Sequence, residues 1–508
     1  MSERLPINSK SLKARFPEVY QEFFSKCALV CSAPRSVTWL GEHTVRMGGL
    51  SMRQSIPVRS YIGITPITSP HIKIVSHITY DSFLNQFRQD TLDEEDYHKP
   101  IEHHLLTFLK DVGGYEFTSG LDIHILTELP FERAIGSAGS FLVSLFGALL
   151  MYKGVLSVQD VNLWKNSTVA DLQKNKETKF NEVFRLIWKW EGVIYSTPSA
   201  ANPFVAMLPS STPILFASQR PSEASLFNGV IGRENLAEDL AWIDRSRWWG
   251  ARTSELFGPH IGWPLPFDWG ILSITEAGAL RDTVFSTAKL QKELQRDVRS
   301  IKKVCNALFE NLAQKDLPDF FHFCLQDDQS QIWQHYIGVL HLLSFQTVLL
   351  FKKIIERGFA RLEIEELSAL INKAHALLYV LDFSPAMLEK TVNMFRTLTL
   401  EKASDVKIGM KVNSTSRRGN LIFMMPSSVM RSWMPEIIEA LREKVDEKIT
   451  LDYASWIDGY EEEGGLKIEQ WLEQGIHSPL LASDAVRHIA WNRKGAQKME
   501  ISARDEAL

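Results

Sequence analysis

Apolar and polar residues alternate with a period of two along the first part of the chain, and this pattern predicts β-strands. The alternation runs from about Cys27 to Ile74, through the segments ALVCSAP, SVTWLG, SMRQSIPVRSYIGITPI and IKIVSHI. Glycine and proline separate these segments, and β-branched residues are frequent within them. A further strand, GLDIHILTELP, begins at Gly120. We therefore expect a β-sheet in this region.

Helical spacing of apolar residues follows and separates these strands. The segment IEHHLLTFLKDVGG comes after an acidic run at 92–100, which suits the positive end of a helix dipole. After the strand at Gly120, SFLVSLFGALLMYKG predicts an apolar helix, and more helix extends to about Glu191. Strands followed by helices that pack on one side indicate an α+β fold.

The second half of the chain separates into an aromatic segment and a helical region. Residues 216–266 are rich in aromatic residues, glycine and proline, as in WIDRSRWW and PHIGWPLPFDW, and we expect an insertion with its own small core. Amphipathic helices dominate residues 290–377. A strand pair, VKIGMKV and NLIFMMP, a helix, MPEIIEALREKV, and a last strand, KITLDYASW, come next. The pattern predicts three parts, at 1–215, 216–266 and 267–508.

The length and the charge of the chain restrict the classes of function. A chain of 508 residues can form two large domains or three modest ones. Its hydrophobic content of 45% and charged content of 23% are typical of a soluble globular protein. The 56 Lys+Arg and 61 Asp+Glu give a formal net charge of −5, which argues against a protein that coats nucleic acid or a membrane surface. We therefore expect neither a nucleic-acid nor a membrane partner.

Cysteine usage and the N-terminal segment indicate a cytoplasmic protein. The four cysteines are scattered, which argues against a disulfide framework and a zinc site. Cys27 and Cys31 lie in or beside an apolar run, so we expect buried thiols. The N-terminal segment MSERLPINSKSLKARFPEVY lacks the apolar core of a secretory signal. The sequence also shows no apolar run of membrane-spanning length.

Two segments of the first half could bind ligands through their turns. Glu42 and His43, in the turn 41-GEHT-44 after a strand, could contact hydroxyls of a small substrate; the alternative is an ordinary polar turn. In 129-LPFERAIGSAGSFLVSLFGALL-150, a loop of small residues opens a long apolar helix. The free N–H groups and the dipole at such a helix start can hold phosphate. The alternative is an ordinary helix with a serine cap.

A third segment, 191-EGVIYSTPSAANPFVAM-207, combines an acid with a polar turn. Glu191 could ligate magnesium, a cation that prefers oxygen ligands. Ser199 and Asn202 lie in a turn that could face a substrate. The alternative is a surface acid followed by an ordinary turn of proline and asparagine.

In their order and separation, these segments resemble the motifs of the GHMP family of small-molecule kinases, such as galactokinase, homoserine kinase and mevalonate kinase. The family's first motif is Ala-Pro-Gly-(Arg/Lys) followed by Gly-Glu-His, and this chain has Ala33-Pro34 and then Gly41-Glu42-His43-Thr44. The second motif is Pro, three residues, and Gly-Leu-Gly-Ser-Ser-Ala. This chain has Pro130 and then 134-AIGSAG-139.

Features further along the chain keep the family's order. Glu191 stands eleven residues before Asn202, as a Glu stands before the catalytic Asp in the mevalonate kinase branch. The segment GMKVNSTSRRGNLIFMMP takes the place of the third, glycine-rich motif. The resemblance implies a two-lobed α+β fold, with an N-terminal ribosomal-S5-like α/β lobe and a C-terminal α+β lobe. It also implies ATP and Mg²⁺ as cofactors and a sugar-like metabolite as the substrate.

The resemblance assigns a role to each candidate residue. Catalysis falls to Asn202, at the position of the family's Asp, and to Arg35. Substrate binding falls to Glu42, His43 and Ser199. The ATP phosphates would be held by Gly136, Ser137, Gly139 and Ser140, and the metal by Glu191 and Ser137. An anion is the expected ligand of Arg417 and Arg418.

Several positions depart from the family pattern. Asn202 cannot take a proton, which excludes general-base catalysis there and costs about 10²–10⁴-fold in rate. Ser36 replaces the basic residue that follows the first-motif glycine, so the base is missing or displaced by one position, to Arg35. Arg417 and Arg418 stand where the third motif is rich in glycine; they either bind an anion in a bidentate way or are solvated in a turn.

Two functions remain open from the sequence. The first is a divergent ATP-dependent kinase that phosphorylates a hydroxyl of a sugar or related metabolite, since positioning and charge neutralisation carry most of phosphoryl transfer. Val45 stands where galactokinases have an Asp that holds sugar hydroxyls, which argues against galactose itself. The second is a catalytically inactive relative that binds a nucleotide, a metabolite or a protein partner. The sequence leaves the oligomeric state open.

Overall fold

The computed structural model of the chain contains two β-sheets with helices packed on them. The residues that it describes are 8–41, 50–68, 72–89, 120–130, 135–167, 179–194, 201–208, 214–217, 267–274, 361–380, 386–402, 406–413, 419–456 and 464–472, with the single positions 172, 339, 343, 344, 346, 347, 350 and 384. The helix expected at 101–114 and nearly all of the aromatic segment 216–266 lie outside these ranges.

The strands and helices are numbered in chain order. The strands are β1 (Leu29–Leu40), β2 (Leu50–Ile67), β3 (Ile72–Asp81), β4 (Gln86–Gln89), β5 (Gly120–Thr127), β6 (Ile214–Ala217), β7 (Phe267–Ser273), β8 (Gly409–Val412), β9 (Asn420–Pro426), β10 (Thr450–Ala454) and β11 (Lys467–Trp471). The helices are α1 (Ser9–Arg15), α2 (Pro17–Ser25), α3 (Ser137–Tyr152), α4 (Val158–Lys165), α5 (Phe180–Ile194), α6 (Ala201–Met207), α7 (Arg361–Val380), α8 (Ala386–Lys402) and α9 (Ser427–Lys444). No helix among them is long and apolar enough to cross a membrane.

The first sheet belongs to the N-terminal lobe and has the strand order β11-β1-β2-β5-β3-β4, with β6 paired to the start of β2. Its pairs are antiparallel, except that β3 runs parallel to β5. Strand β2 is 18 residues long, and its register pairs Arg53 with Thr38 of β1. Side chains at the start of β2 therefore lie beside the end of β1.

Strand β1 is buried along its whole length because it lies between two hydrophobic cores. Cys31 packs in the core that contains α3, whereas Val37 and Trp39 pack in the core shared with the second sheet. All three residue numbers are odd, so strict alternation would place these side chains on the same face of the strand. The alternation of faces therefore reverses between Cys31 and Val37. The register against β2 shifts between Pro34 and Arg35, and a β-bulge of this kind re-aims the side chains that follow it.

Helix α3 is the apolar helix that the sequence predicts, and it is buried from residue 139 to residue 152. It packs against β1 and β2 on one side and against α5 and α6 on another. A helix that is covered in this way is apolar around its whole circumference. Its internal hydroxyls bond to carbonyl groups: Ser144 Oγ lies 2.8 Å from the Ser140 carbonyl oxygen and 2.9 Å from that of Ser60.

The second sheet belongs to the C-terminal lobe and has the antiparallel order β10-β7-β9-β8. The predicted strand pair is confirmed as β8 and β9, the predicted helix lies within α9, and the predicted last strand is β10. The two-lobed α+β fold is thereby confirmed. One element departs from the predicted division: β11, at residues 467–471, pairs with β1 in the first sheet rather than joining the C-terminal lobe.

The two cysteines in the described part of the chain, Cys27 and Cys31, are buried free thiols, as the sequence predicts. Burial raises the pKa of Cys27 to about 12 and raises that of Cys31 still further. Thiolate is the reactive form, so both thiols are chemically inert at neutral pH.

Candidate active site

The loop that precedes α3 packs directly against β1 and α6. A Cβ at Gly136 would lie 2.6 Å from the Ser36 backbone nitrogen, and a Cβ at Gly139 would lie 2.6 Å from the Asn202 carbonyl carbon. Both distances are shorter than the closest approach of a Cβ atom to backbone atoms. Any side chain at either position would clash, so only glycine fits. Residues 36, 136–139 and 202 therefore meet at one place, although residues 36 and 202 are more than 150 residues apart in the sequence.

The first turn of α3 has the properties of an anion site. Gly136 precedes the helix with a φ of 59°, in the left-handed region that glycine adopts without strain, and no side chain caps the helix. The N–H groups of a first helical turn have no partners within the helix, and they lie at the positive end of its dipole. These residues are Ser137, Ala138 and Gly139, which supports the predicted place of a phosphate.

Ser140 packs α3 against β1, and its predicted role in phosphate binding needs correction. The residue is fully buried, and its hydroxyl donates to the Ala33 carbonyl oxygen at 2.6 Å. Its N–H donates to the Gly136 carbonyl oxygen at 3.1 Å. Both donors are thus engaged inside the protein. Because the Ser140 N–H is bonded to Gly136, the anion-binding turn ends at Gly139.

Arg35 holds the loop in place, and its predicted catalytic role also needs correction. The side chain is fully buried. Its guanidinium donates to the carbonyl oxygen of Pro130 at 3.0 Å and to that of Leu129. The bulge at residues 34–35 turns this side chain toward the end of β5. Arg35 therefore holds the segment at residues 129–130, which leads to Gly136.

Asn202 lies at the centre of the arrangement, beside an arginine that sequence reasoning missed. Its side-chain oxygen accepts a hydrogen bond from the guanidinium of Arg53, and the Ser36 hydroxyl lies 3.4 Å from the same oxygen. Arg53 is only 7% exposed, and its Nε donates to Ser51 Oγ at 3.1 Å. The register of β2 against β1 would have pointed to Arg53, but alternation alone does not give a register.

Glu191 is buried in α5, a helix that packs against both α3 and α6. The described residues contain no group of three or more His, Cys, Asp and Glu side chains that could hold a metal ion. A magnesium ion bound with a nucleotide needs only one or two protein carboxylates, because phosphates and waters complete its shell. The oxygen donors of Glu191 and Ser137 fit that chemistry.

The third motif is anchored to the same strand as the first. The Thr38 N–H donates to Asn413 Oδ1 at 3.2 Å, and Lys411 Nζ donates to the Thr38 carbonyl oxygen at 3.0 Å. At the other end of the loop, Gly419 has a φ of 77°, and a Cβ there would lie 2.3 Å from the Ile274 carbonyl oxygen. Both ends of the loop 414–418 are thereby fixed, one of them beside the end of β1.

Helix α7 covers the edge of the second sheet. Strand β8 is the edge strand, and Asn372 Oδ1 accepts the Met410 N–H at 3.0 Å. His375 Nδ1 accepts the Val412 N–H at 3.3 Å, and its Nε2 lies 3.0 Å from a Glu389 oxygen. Burial alone would raise the pKa of Glu389, but hydrogen bonds from His375 and Ser384 lower it below the usual value.

The remaining predicted site residues lie outside the described ranges. They are Glu42, His43, Ser199, Arg417 and Arg418. Their roles in substrate and anion binding stay predictions. Gly41, Asn202 and Asn413, each next to or near one of these segments, are described.

Comparison with known proteins identifies small-molecule kinases. No family model matches the chain. Two mevalonate kinases are similar: that of Pyrococcus abyssi at 24% identity over 187 residues, and that of Pyrococcus horikoshii at 27% over 141 residues. These matches cover 35% and 26% of the chain, and 49% and 42% of the two relatives. The chain thus spans about half the length of the curated relatives that it matches.

A solved galactokinase structure has a similar fold over most of its length. Lactococcus lactis galactokinase complexed with galactose matches with a TM-score of 0.51 at 14% identity, covering 88% of this chain and 97% of that one. L. major mevalonate kinase in complex with R-mevalonate has a TM-score of 0.47 at 16% identity, covering 83% and 93%. At such identity the likeness to galactokinase establishes the fold alone.

Proposed function

We propose that this chain, a divergent member of the GHMP family of small-molecule kinases, transfers a phosphoryl group from ATP to a hydroxyl of a small metabolite. One observation carries the proposal: Gly136 and Gly139 pack the uncapped start of α3 against Ser36 and Asn202. That contact brings a phosphate-binding helix start within reach of the residue at the position of the family's catalytic Asp.

In the proposed reaction the acceptor oxygen bonds to the γ-phosphorus while the bond from that phosphorus to the β–γ bridging oxygen breaks, and ADP leaves. The N–H groups of the first turn of α3 hold the phosphates. Glu191 and Ser137 would hold Mg²⁺, which would neutralise phosphate charge when bound. Asn202 cannot accept the hydroxyl proton, so that proton passes to an oxygen of the transferred group. The transition state of such transfers is loose, and positioning carries most of the catalysis.

The acceptor is proposed to be a hydroxyl of a sugar or related metabolite. The names of the relatives point to two chemistries, mevalonate and galactose. Val45 stands where galactokinases have an Asp, and an apolar side chain cannot accept hydrogen bonds from sugar hydroxyls. An acceptor panel should therefore include hydroxy acids as well as sugars and sugar alcohols.

Two measurements test the proposed function. Mg-ATP should raise the melting temperature of the purified chain, because a ligand that binds only the folded state stabilises it. Glu191→Gln should weaken this effect, and a surface variant such as Glu436→Gln, on α9, should leave it unchanged. An acceptor panel scored for ADP release then tests turnover. A melting temperature that does not respond to ATP, ADP or GTP contradicts the proposal, and binding without turnover of any acceptor leaves an inactive relative.

A further inference from the structure

We infer that Arg53 is a positioning residue of the proposed reaction, which fixes Asn202 as a hydrogen-bond donor and supplies the positive charge that Ser36 lacks. The inference rests on the proposed function. It concerns β2, a strand that carries none of the family motifs quoted above.

The contact with Arg53 fixes the orientation of the Asn202 side chain. Arginine has only donors, so the atom of Asn202 that faces Arg53 must be the carbonyl oxygen. The Ser36 hydroxyl approaches the same oxygen at 3.4 Å. The amide NH₂ group is therefore turned away from Arg53. Residue 202 therefore has no group that could take the proton of the acceptor hydroxyl, but it has two N–H donors.

Arg53 is itself held in place by a hydrogen bond to Ser51. Its Nε donates to Ser51 Oγ at 3.1 Å, and the Ser51 hydroxyl donates to the Leu40 carbonyl oxygen at 3.1 Å. This chain of contacts fixes the guanidinium between the end of β1 and Asn202. A buried guanidinium in a fixed orientation retains its charge, because arginine is not deprotonated in proteins.

Residue 36 of β1 and residue 53 of β2 both approach the side chain of Asn202. In the family pattern the basic residue of the first motif stands at the position of Ser36, and Ser36 approaches Asn202 in this chain. A basic side chain at position 36 would thus reach residue 202. Arg53 reaches it from β2 instead. The positive charge beside residue 202 is therefore supplied by β2 and not by β1. Arg35, the other candidate, donates to the carbonyl groups of residues 129–130 instead.

These contacts have a chemical consequence for the transfer step. The NH₂ group of Asn202 can donate to an oxygen of the acceptor or of the transferred phosphoryl group, and the Arg53 charge stabilises negative charge that develops beside it. A carboxylate at position 202 would pair with Arg53 and remove both effects. The chain therefore uses donors where a base would otherwise act.

Steady-state kinetics with the acceptor found in the panel test the role of Arg53. Arg53→Met should lower kcat by about 10²-fold, the usual effect of losing one preorganised donor, with little change in the KM for ATP. Arg53→Lys should lie between Met and wild type, because a lysine keeps the charge without the fork geometry. Arg88→Met, on β4, is a matched control for the same change at an exposed arginine and should leave kcat unchanged.

Asn202→Asp separates a donor from a base at position 202. We expect a lower kcat, since the carboxylate loses both N–H donors and pairs with Arg53. A higher kcat would overturn the inference, because it would show that the site needs a base. An Arg53→Met variant that keeps wild-type kcat would overturn it as well, while leaving the proposed function intact. Absence of turnover in the wild-type chain instead contradicts the proposed function, and the catalytic role of Arg53 with it.

Thermal unfolding tests the contact itself without any activity. Asn202→Asp should lower the melting temperature less in the wild-type background than in Arg53→Met, because Arg53 can pair with the new carboxylate. A half-buried carboxylate without its partner is costly. Equal losses in the two backgrounds would overturn the proposed contact between residues 53 and 202.

Discussion

A Cβ atom on Gly139 would lie 2.6 Å from the carbonyl carbon of Asn202, so position 139 packs against the Asn202 backbone too closely for any residue other than glycine. The contact joins the first turn of α3 to the start of α6. It explains why small residues open α3, since both the close approach and the exposure of the first amide groups require them. The arrangement of the candidate active site depends on this pair.

Replacement of Gly139 by alanine should separate the two elements. We expect the variant to lose about 1–3 kcal/mol in the free energy of unfolding, the usual cost of overpacking, and to lose most of the stabilisation by Mg-ATP. Urea unfolding with and without nucleotide measures both. Ala440→Ser, at a half-buried position of α9 away from the site, is the control, with an expected change within about 0.5 kcal/mol. An unaltered nucleotide response in Gly139→Ala would contradict the close packing.

Arg35→Met should act on stability. The substitution leaves two buried carbonyl groups, of Leu129 and Pro130, without their donor. Hydrogen bonds to a charged group contribute about 1.5–3 kcal/mol each, so we expect a loss of at least about 2 kcal/mol in urea unfolding. Arg88→Met, at an exposed ion pair, should cost less than about 1 kcal/mol. A variant of unchanged stability would restore the catalytic assignment of Arg35.

Glu128 should make the stability of the N-terminal lobe depend on pH. Burial raises the pKa of this fully buried carboxyl, although it accepts hydrogen bonds from Ser9, Tyr20, Tyr61 and the Arg59 N–H. A raised pKa means that the folded state binds the proton more tightly. Stability should therefore fall as the pH rises from the unfolded value of 4.5 through the folded pKa. Unfolding of wild type and Glu128→Gln across pH 4–8 checks this, and parallel profiles would contradict it.

Glu389 predicts the opposite dependence in the C-terminal lobe. Burial opposes its ionisation, but hydrogen bonds from His375 and Ser384 outweigh it and lower the pKa of the carboxyl. The stabilisation is then present above the unfolded pKa and is lost as the pH falls through the folded one. Glu389→Gln should remove that loss, which lies below the unfolded value of 4.5. Acid unfolding of the two proteins measures the difference, and identical acid midpoints would refute the coupling.

The sequence predicted the parts of this fold that local patterns determine. Alternation found β1 and β2, helical spacing found α3, and the strand pair β8–β9 was correct in type and place. The motifs also predicted that the Gly136 loop and Asn202 belong together, although they lie more than sixty residues apart in the chain. Order and spacing carried that prediction, because no local property of either segment is distinctive.

The errors come from features that a local pattern cannot encode. Arg35 was assigned to catalysis because alternation does not reveal the bulge beside it. Ser140 was assigned to phosphate because the exact start of a helix is poorly marked in a sequence. Arg53 was missed because strand register depends on contacts distant in sequence. β11 was missed because KIEQW is short and largely polar, and its pairing with β1 closes a sheet more than 400 residues away in the chain.

Hydrogen–deuterium exchange with and without Mg-ATP shows where the nucleotide binds. Because the first turn of α3, facing Ser36 and Asn202, is proposed to hold the phosphates, Mg-ATP should slow exchange in peptides that cover residues 135–141. Peptides from α8, at residues 386–402, should stay unchanged. Protection that leaves residues 135–141 unaffected, in a chain shown to bind Mg-ATP, would contradict the proposed phosphate site.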